Sequence, residues 1–174
     1  NAAGNTTVSG GAVANNGSIA GSTVNVSGTS LTNTGNVTGG VVNTTVSGNV
    51  TNSGNITGTT VNVSGSNVTS TAGNITGTVS TNVNATTGSV VNNGTIGAVG
   101  NTTVSAASGN VTNNVSSSIG NAAGNTTVSG GAVANNGSIA GSTVNVTGTS
   151  FANNGNVTGG VVNTTVSGKI GRAS

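Results

Sequence analysis

Aspartate, glutamate, histidine, cysteine, methionine, proline, tryptophan and tyrosine are all absent from this chain of 174 residues. Its two charged side chains, Lys169 and Arg172, both fall within the last six positions. General acid–base chemistry draws on His, carboxylate, Lys, Cys or Tyr groups, so no enzyme activity is expected and no catalytic residue is nominated. Protein metal sites use carboxylate, thiolate or imidazole ligands; no metal site and no cofactor are expected. Nucleic-acid binding relies on basic surface and aromatic platforms, which one Phe and two cations do not supply. The pI of about 11.0 reflects those two tail charges and not a basic face. No apolar run reaches the ~18 residues of a membrane span. Without cysteine there are no disulfides, and the redox compartment stays open. The chain starts in mid-pattern at Asn1 without signal-peptide architecture, as an excised or mature segment would.

Five residue types fill most of what remains: 32 Gly, 32 Thr, 31 Asn, 28 Val and 23 Ser. They are ordered by repetition. Residues 1–48 recur at 121–168 with 44 of 48 identities, the changes being Ser27 to Thr147, Leu31 to Phe151, Thr32 to Ala152 and Thr34 to Asn154. The long period is therefore 120 residues, with one unit at 1–120 and a partial second at 121–168. Residues 169–174 diverge from the repeat and read as a separate tail. Within the unit a Gly-x-Ile/Val landmark places its apolar residue at Ile19, Val37, Ile56, Ile75 and Ile96, then Ile139 and Val157. Ile119 fills the missing beat although its glycine is gone. The successive spacings are 18, 19, 19, 21, 23, 20 and 18 residues, so six short units of about 20 make the long one.

Each short unit alternates apolar and polar residues with the period of a strand that has one buried face. The third unit carries Asn55-Ile56-Thr57, Val61-Asn62-Val63-Ser64 and Asn67-Val68-Thr69, separated by Gly58 and Gly65. Val, Ile and Thr favour the pleated surface, whereas Gly and Asn suit corners that need positive φ. Three short strands per coil describe a triangular parallel β-solenoid, an all-β fold of about nine coils over 1–168. Stacked at roughly 4.8 Å, these coils make a rod on the order of 40 Å long. The landmarks Ile19, Val37, Ile56, Ile75, Ile96, Ile119, Ile139 and Val157 are its expected core. One coil cannot bury its apolar side alone; stacking buries it cooperatively. Looser geometry, with bulges or loops, is expected between Val90 and Gly131. A disordered Gly/Ser/Asn/Thr linker is the rival reading of the composition.

Segments such as Leu31-Thr32-Asn33-Thr34-Gly35-Asn36-Val37-Thr38-Gly39 and Val50-Thr51-Asn52-Ser53-Gly54-Asn55-Ile56-Thr57-Gly58 resemble the repeats of filamentous haemagglutinin-like adhesins. The resemblance covers nearly all of 1–168. It implies a right-handed parallel β-helix in a large secreted bacterial exoprotein that serves attachment or biofilm at the cell surface. Family members usually carry outward charge and seldom copy their repeats so closely, and both departures point to a more regular fibre. Self-association through the solenoid ends is the expected partnership, because no capping element marks the N-terminal repeat and little charge opposes contact. No host or surface receptor is legible.

Two further motifs have bland explanations beside functional ones. Twenty of the 31 Asn stand in Asn-x-Ser/Thr sequons, and Asn55, Asn67, Asn74 and Asn110 are candidate glycan acceptors if they face outward. Strand alternation alone also generates Asn-Val-Thr. Thr57-Gly58-Thr59 and Thr76-Gly77-Thr78 could begin a hydroxyl array for an ice- or carbohydrate-binding module, but the coils on either side break it. Because residues 1–168 hold no side chain that titrates near neutrality, the circular dichroism spectrum is expected to stay constant between about pH 4 and pH 9. A midrange unfolding transition would contradict this.

Overall fold

The computed structural model describes residues 4–171, and every strand pairing in it is parallel. The chain is an all-β solenoid of nine coils without a helix among the described residues. The strands assemble into a 13-stranded and a 9-stranded sheet.

Three inward faces arise from a change of phase within each coil. The strand Ser18–Gly28 sends Ile19 and Gly21 inward, turns, and then sends Val24 and Val26 inward. Asn36–Val46, Asn55–Gly65 and Asn74–Ala85 follow the same course. A third inward pair comes from short strands such as Ser30–Asn33 and Val50–Asn52. We name these the isoleucine, valine and asparagine faces after their inward residues. The first two were expected to be separate strands, with Gly58 as the break. In these four coils they are instead one strand of 11 or 12 residues that bends, its ladder resuming beyond the bend with a register shift between Gly58 and Thr60 against the fourth coil. The bend is possible because Gly21, Gly39, Gly58 and Gly77 stack in register, so no side chain obstructs it.

Register carries each inward residue onto its counterpart. Ile19, Val37, Ile56, Ile75, Ile96, Ile119, Ile139 and Val157 form one unbroken column. The six from Val37 to Ile139 are fully buried, while Ile19 and Val157, near the ends of the stack, are partly buried. The repeat differences obey this sorting: Ser27/Thr147, Thr32/Ala152 and Thr34/Asn154 are exposed, and only Leu31/Phe151 lies in the core. The tail diverges in sequence but not in path, since Ile170 and Gly171 pair with Phe151 and Ala152 as the ninth strand of the asparagine face. Residues 172–174 lie outside the described residues.

Corner glycines serve a purpose other than the positive φ expected of them. Among the described residues only Ser116 (φ 64°) and Gly120 (φ 83°) are left-handed. A β-carbon at Gly35 would instead strike the carbonyl oxygen of Gly17, one at Gly54 that of Gly35, and one at Gly155 that of Gly137. Backbone rides directly on backbone at this corner. The irregularity expected in 90–131 is present: the long strand splits around Val99 and Gly100, and turns interrupt the coil at 115–116 and 122–123. Val99 and Val115 are pushed out to 57% and 74% exposure there, as Val79 is to 58% in the coil before.

The valine face contains one defect. Thr44 is 1% exposed between Val26 and Val63, and its Oγ1 finds no hydrogen-bond partner. Buried Thr81 and Thr126 differ, each donating to a bend carbonyl of the next coil, Gly97 O and Ala140 O, at 2.7 Å. Thr44→Val keeps the shape and removes an unpaired hydroxyl, so it should stabilise the fold by about 1 kcal/mol. Thermal or denaturant unfolding would measure the gain, and an unchanged or lowered midpoint would show that the hydroxyl is satisfied.

Candidate functional site: polar columns inside and outside the coil

The most ordered polar arrangement in the molecule is internal. Period two places the residue after next on the same side of a strand, so Val13, Leu31 and Val50 are followed inward by Asn15, Asn33 and Asn52. Buried amides need partners, and these find them along the axis. Asn15 Nδ2 donates to Asn33 Oδ1 at 2.7 Å, and Asn33 Nδ2 to Asn52 Oδ1 at 2.7 Å. The ladder resumes from Asn92 to Asn113 at 2.9 Å, Asn113 to Asn135 at 2.8 Å and Asn135 to Asn153 at 2.8 Å. Every ladder amide before Asn153 also reaches around the corner to a backbone carbonyl of the next coil, as Asn15 does to Asn36 O at 3.0 Å and Asn113 to Ser138 O at 2.9 Å. The ladder therefore ties the asparagine face to the isoleucine face. Ser70 interrupts it; there the turn is one residue longer, and Ser70 Oγ donates to Gly73 O at 2.7 Å.

Outside, amide ladders run with opposite polarity. On the valine face Asn43 donates to Asn25 at 3.0 Å, Asn62 to Asn43 at 2.9 Å and Asn82 to Asn62 at 2.9 Å. On the isoleucine face Asn55 donates to Asn36 at 3.1 Å and Asn74 to Asn55 at 3.0 Å. The candidate acceptors Asn55, Asn74 and Asn110 are exposed and Asn67 is half-buried, with its Nδ2 on Asn49 Oδ1 at 3.0 Å. None of the 20 sequon asparagines is buried, and none of the seven ladder asparagines stands in a sequon, although exposed Asn82, Asn121 and Asn154 also lie outside sequons. Outward Asn, inward Val or Ile and outward Thr produce the common form.

The threonine column on the isoleucine face comprises Thr38, Thr57 and Thr76 in register, with 3.5 Å between the hydroxyls of Thr38 and Thr57. It ends at Ala20 on one side and Gly97 on the other. Beyond Thr76 the missing side chains of Gly97 and Gly120 leave a shallow dent of about 150 Å³ bordered by Val99 and Asn121. No group of three or more His, Cys, Asp or Glu occurs among the described residues. Among the described residues these faces present hydroxyls and amides, with Lys169 the one charged side chain. Comparison with known protein families, with characterised proteins and with solved structures found no match.

The internal ladder is the feature that the sequence reading missed. Its signal is present in the sequence, because Asn stands two positions after Val13, Leu31, Val50, Val90, Val111, Val133 and Phe151. Asn33→Asp tests the ladder through pH. Asn33 is 0% exposed, and its Nδ2 faces Asn52 Oδ1, Gly35 O and Asn55 O. A carboxylate there meets three acceptors, so burial and repulsion raise its folded pKa above the unfolded value of about 3.9. The folded state then holds a proton that the unfolded state releases, and stability falls as pH rises through and beyond about 4. The variant should lose roughly 3 kcal/mol or more at neutral pH and recover part of it at about pH 3. A pH-independent melting temperature would place Asn33 outside the core.

Proposed function

We propose that this chain is a non-catalytic shaft segment of an extracellular bacterial fibre or adhesin, which extends or projects by adding coils end to end. The observation that carries this reading is the continuity of register. The inward columns pass from coil to coil throughout the described residues, and the last of them leave Val162 44% and Ile170 66% exposed. These two residues belong to the inward columns of Val144 and Phe151. An unpaired sheet edge with an uncovered apolar column is a template for another coil, whether further chain or a second copy supplies it. The near absence of charge supports the same reading, since stacked like charges one inter-strand spacing apart would repel. The segments quoted above, which are similar to haemagglutinin-type repeats, favour an adhesin shaft used in attachment or biofilm. Outward sequon asparagines leave room for covalent glycans on such a shaft.

Electron microscopy and light scattering across a concentration series test the assembly. Rods of uniform width that lengthen with concentration are expected. A segment that stays strictly monomeric at high concentration, with no glycan mass, would sink the open-ended fibre.

A further inference from the structure

The corner between the asparagine and isoleucine faces carries reactive dipeptides that folding does not explain. Asparagine precedes glycine at Asn16-Gly17, Asn93-Gly94, Asn136-Gly137 and Asn154-Gly155. Asn before Gly is the pair most open to cyclisation, because the absent side chain lets the glycine nitrogen approach the asparagine Cγ. In a folded chain the reaction also requires that nitrogen to leave its hydrogen bond, and water or base to reach it.

Three of the four glycine nitrogens are held. Gly17 N donates to Asn15 Oδ1 at 3.3 Å, Gly94 N to Asn92 Oδ1 at 3.1 Å and Gly155 N to Asn135 O at 3.0 Å. Gly137 N has no hydrogen-bond acceptor among the described residues. The cause lies one coil below, where the regular corner glycine is replaced by a longer turn. Ser116 is left-handed there, and Ser117 is buried with its Oγ 2.7 Å from Asn113 Oδ1. Asn136 N takes the ladder carbonyl of Asn113 at 2.7 Å, and the turn offers nothing to the nitrogen that follows. The same departure opens a groove of about 500 Å³ that borders Asn136 and Gly137, both half-buried, between Ser116, Ser118 and Asn154.

We propose that Asn136 is a self-modification site that converts to aspartate and isoaspartate ahead of every other asparagine in the folded chain. Gly137 N gives its proton to water or hydroxide and attacks Asn136 Cγ. The new N–Cγ bond forms, the Cγ–Nδ2 bond breaks, and the amide nitrogen takes one proton back from water and leaves as ammonia. One water then opens the cyclic imide at either carbonyl, and no electrons are exchanged. The fold does not oppose the aspartate product, because Asn136 Oδ1 already accepts from Asn154 Nδ2 at 2.9 Å and a carboxylate oxygen accepts equally well. Each conversion places one negative charge on a rod that has no acidic side chain, so the segment gains charge with age at a fixed position. This inference stands apart from the shaft reading.

The intact chain, incubated at mildly alkaline pH and followed by top-down fragmentation mass spectrometry, provides the test, with circular dichroism to verify the fold. Asn136 should convert roughly five- to tenfold faster than Asn93 and Asn154, the factor that one net hydrogen bond is worth. Residues 11–20 and 131–140 are identical, so Asn16 reports the same local sequence without the Ser116 turn beneath it. In denaturant the four rates should converge. Asn136→Gln should abolish the fast phase and leave the other three unchanged. The proposal is overturned if Asn136 in the folded chain is no faster than Asn93 and Asn154, or if its advantage persists in denaturant.

Discussion

Coil stacking at the inter-strand spacing is the constraint on which everything else in this molecule depends. A residue in a solenoid meets its counterpart ~4.8 Å above and below, so the choice at one position is made for a whole column. Charge is the first casualty, because like charges cannot share a column. Glycine at the corner is the second, because the backbone of one coil occupies the space where the next would place a β-carbon, as at Gly35 over Gly17. Buried amides are the third. An isolated Asn33 would be costly in a dry interior, whereas Asn33 between Asn15 and Asn52 is satisfied by the column itself.

The same constraint explains where the regularity fails. Ser70 replaces a ladder asparagine where the turn gains a residue. Ser116 and Ser117 replace a corner glycine where the landmark spacing stretches to 23 residues. Each irregularity changes what the neighbouring coil can bond to, so a local insertion has a non-local effect. Gly137, whose own sequence is identical to that around Gly17, lost its acceptor in this way. In the other direction, the bend at Gly58 adapts without breaking, because its column is glycine from Gly21 to Gly77.

The outward faces follow a weaker rule. They require only uncharged residues that can meet their neighbours, and Asn, Thr and Ser exchange there freely, as Asn82 with Thr103 or Thr45 with Ser64. That freedom accounts for the abundance of sequons and for a threonine column limited to Thr38, Thr57 and Thr76. Neither amounts to a converging site.

The sequence by itself determined the coil. Spacing of Ile56 and Ile75, alternation along Val61-Asn62-Val63 and the 120-residue copy are local or additive properties, and repetition turns them directly into stacked parallel strands. Tertiary structure decided what depends on the neighbouring coil. Alternation should have placed Asn33 inside, yet only stacking shows that its amide is satisfied there, because its partners lie 18 and 19 residues away. The corner glycines look like turn residues in one dimension and are close-approach residues in three. Asn16 and Asn136 are indistinguishable in local sequence, and only their places in the stack separate them, with Asn136 lying above the Ser116 turn.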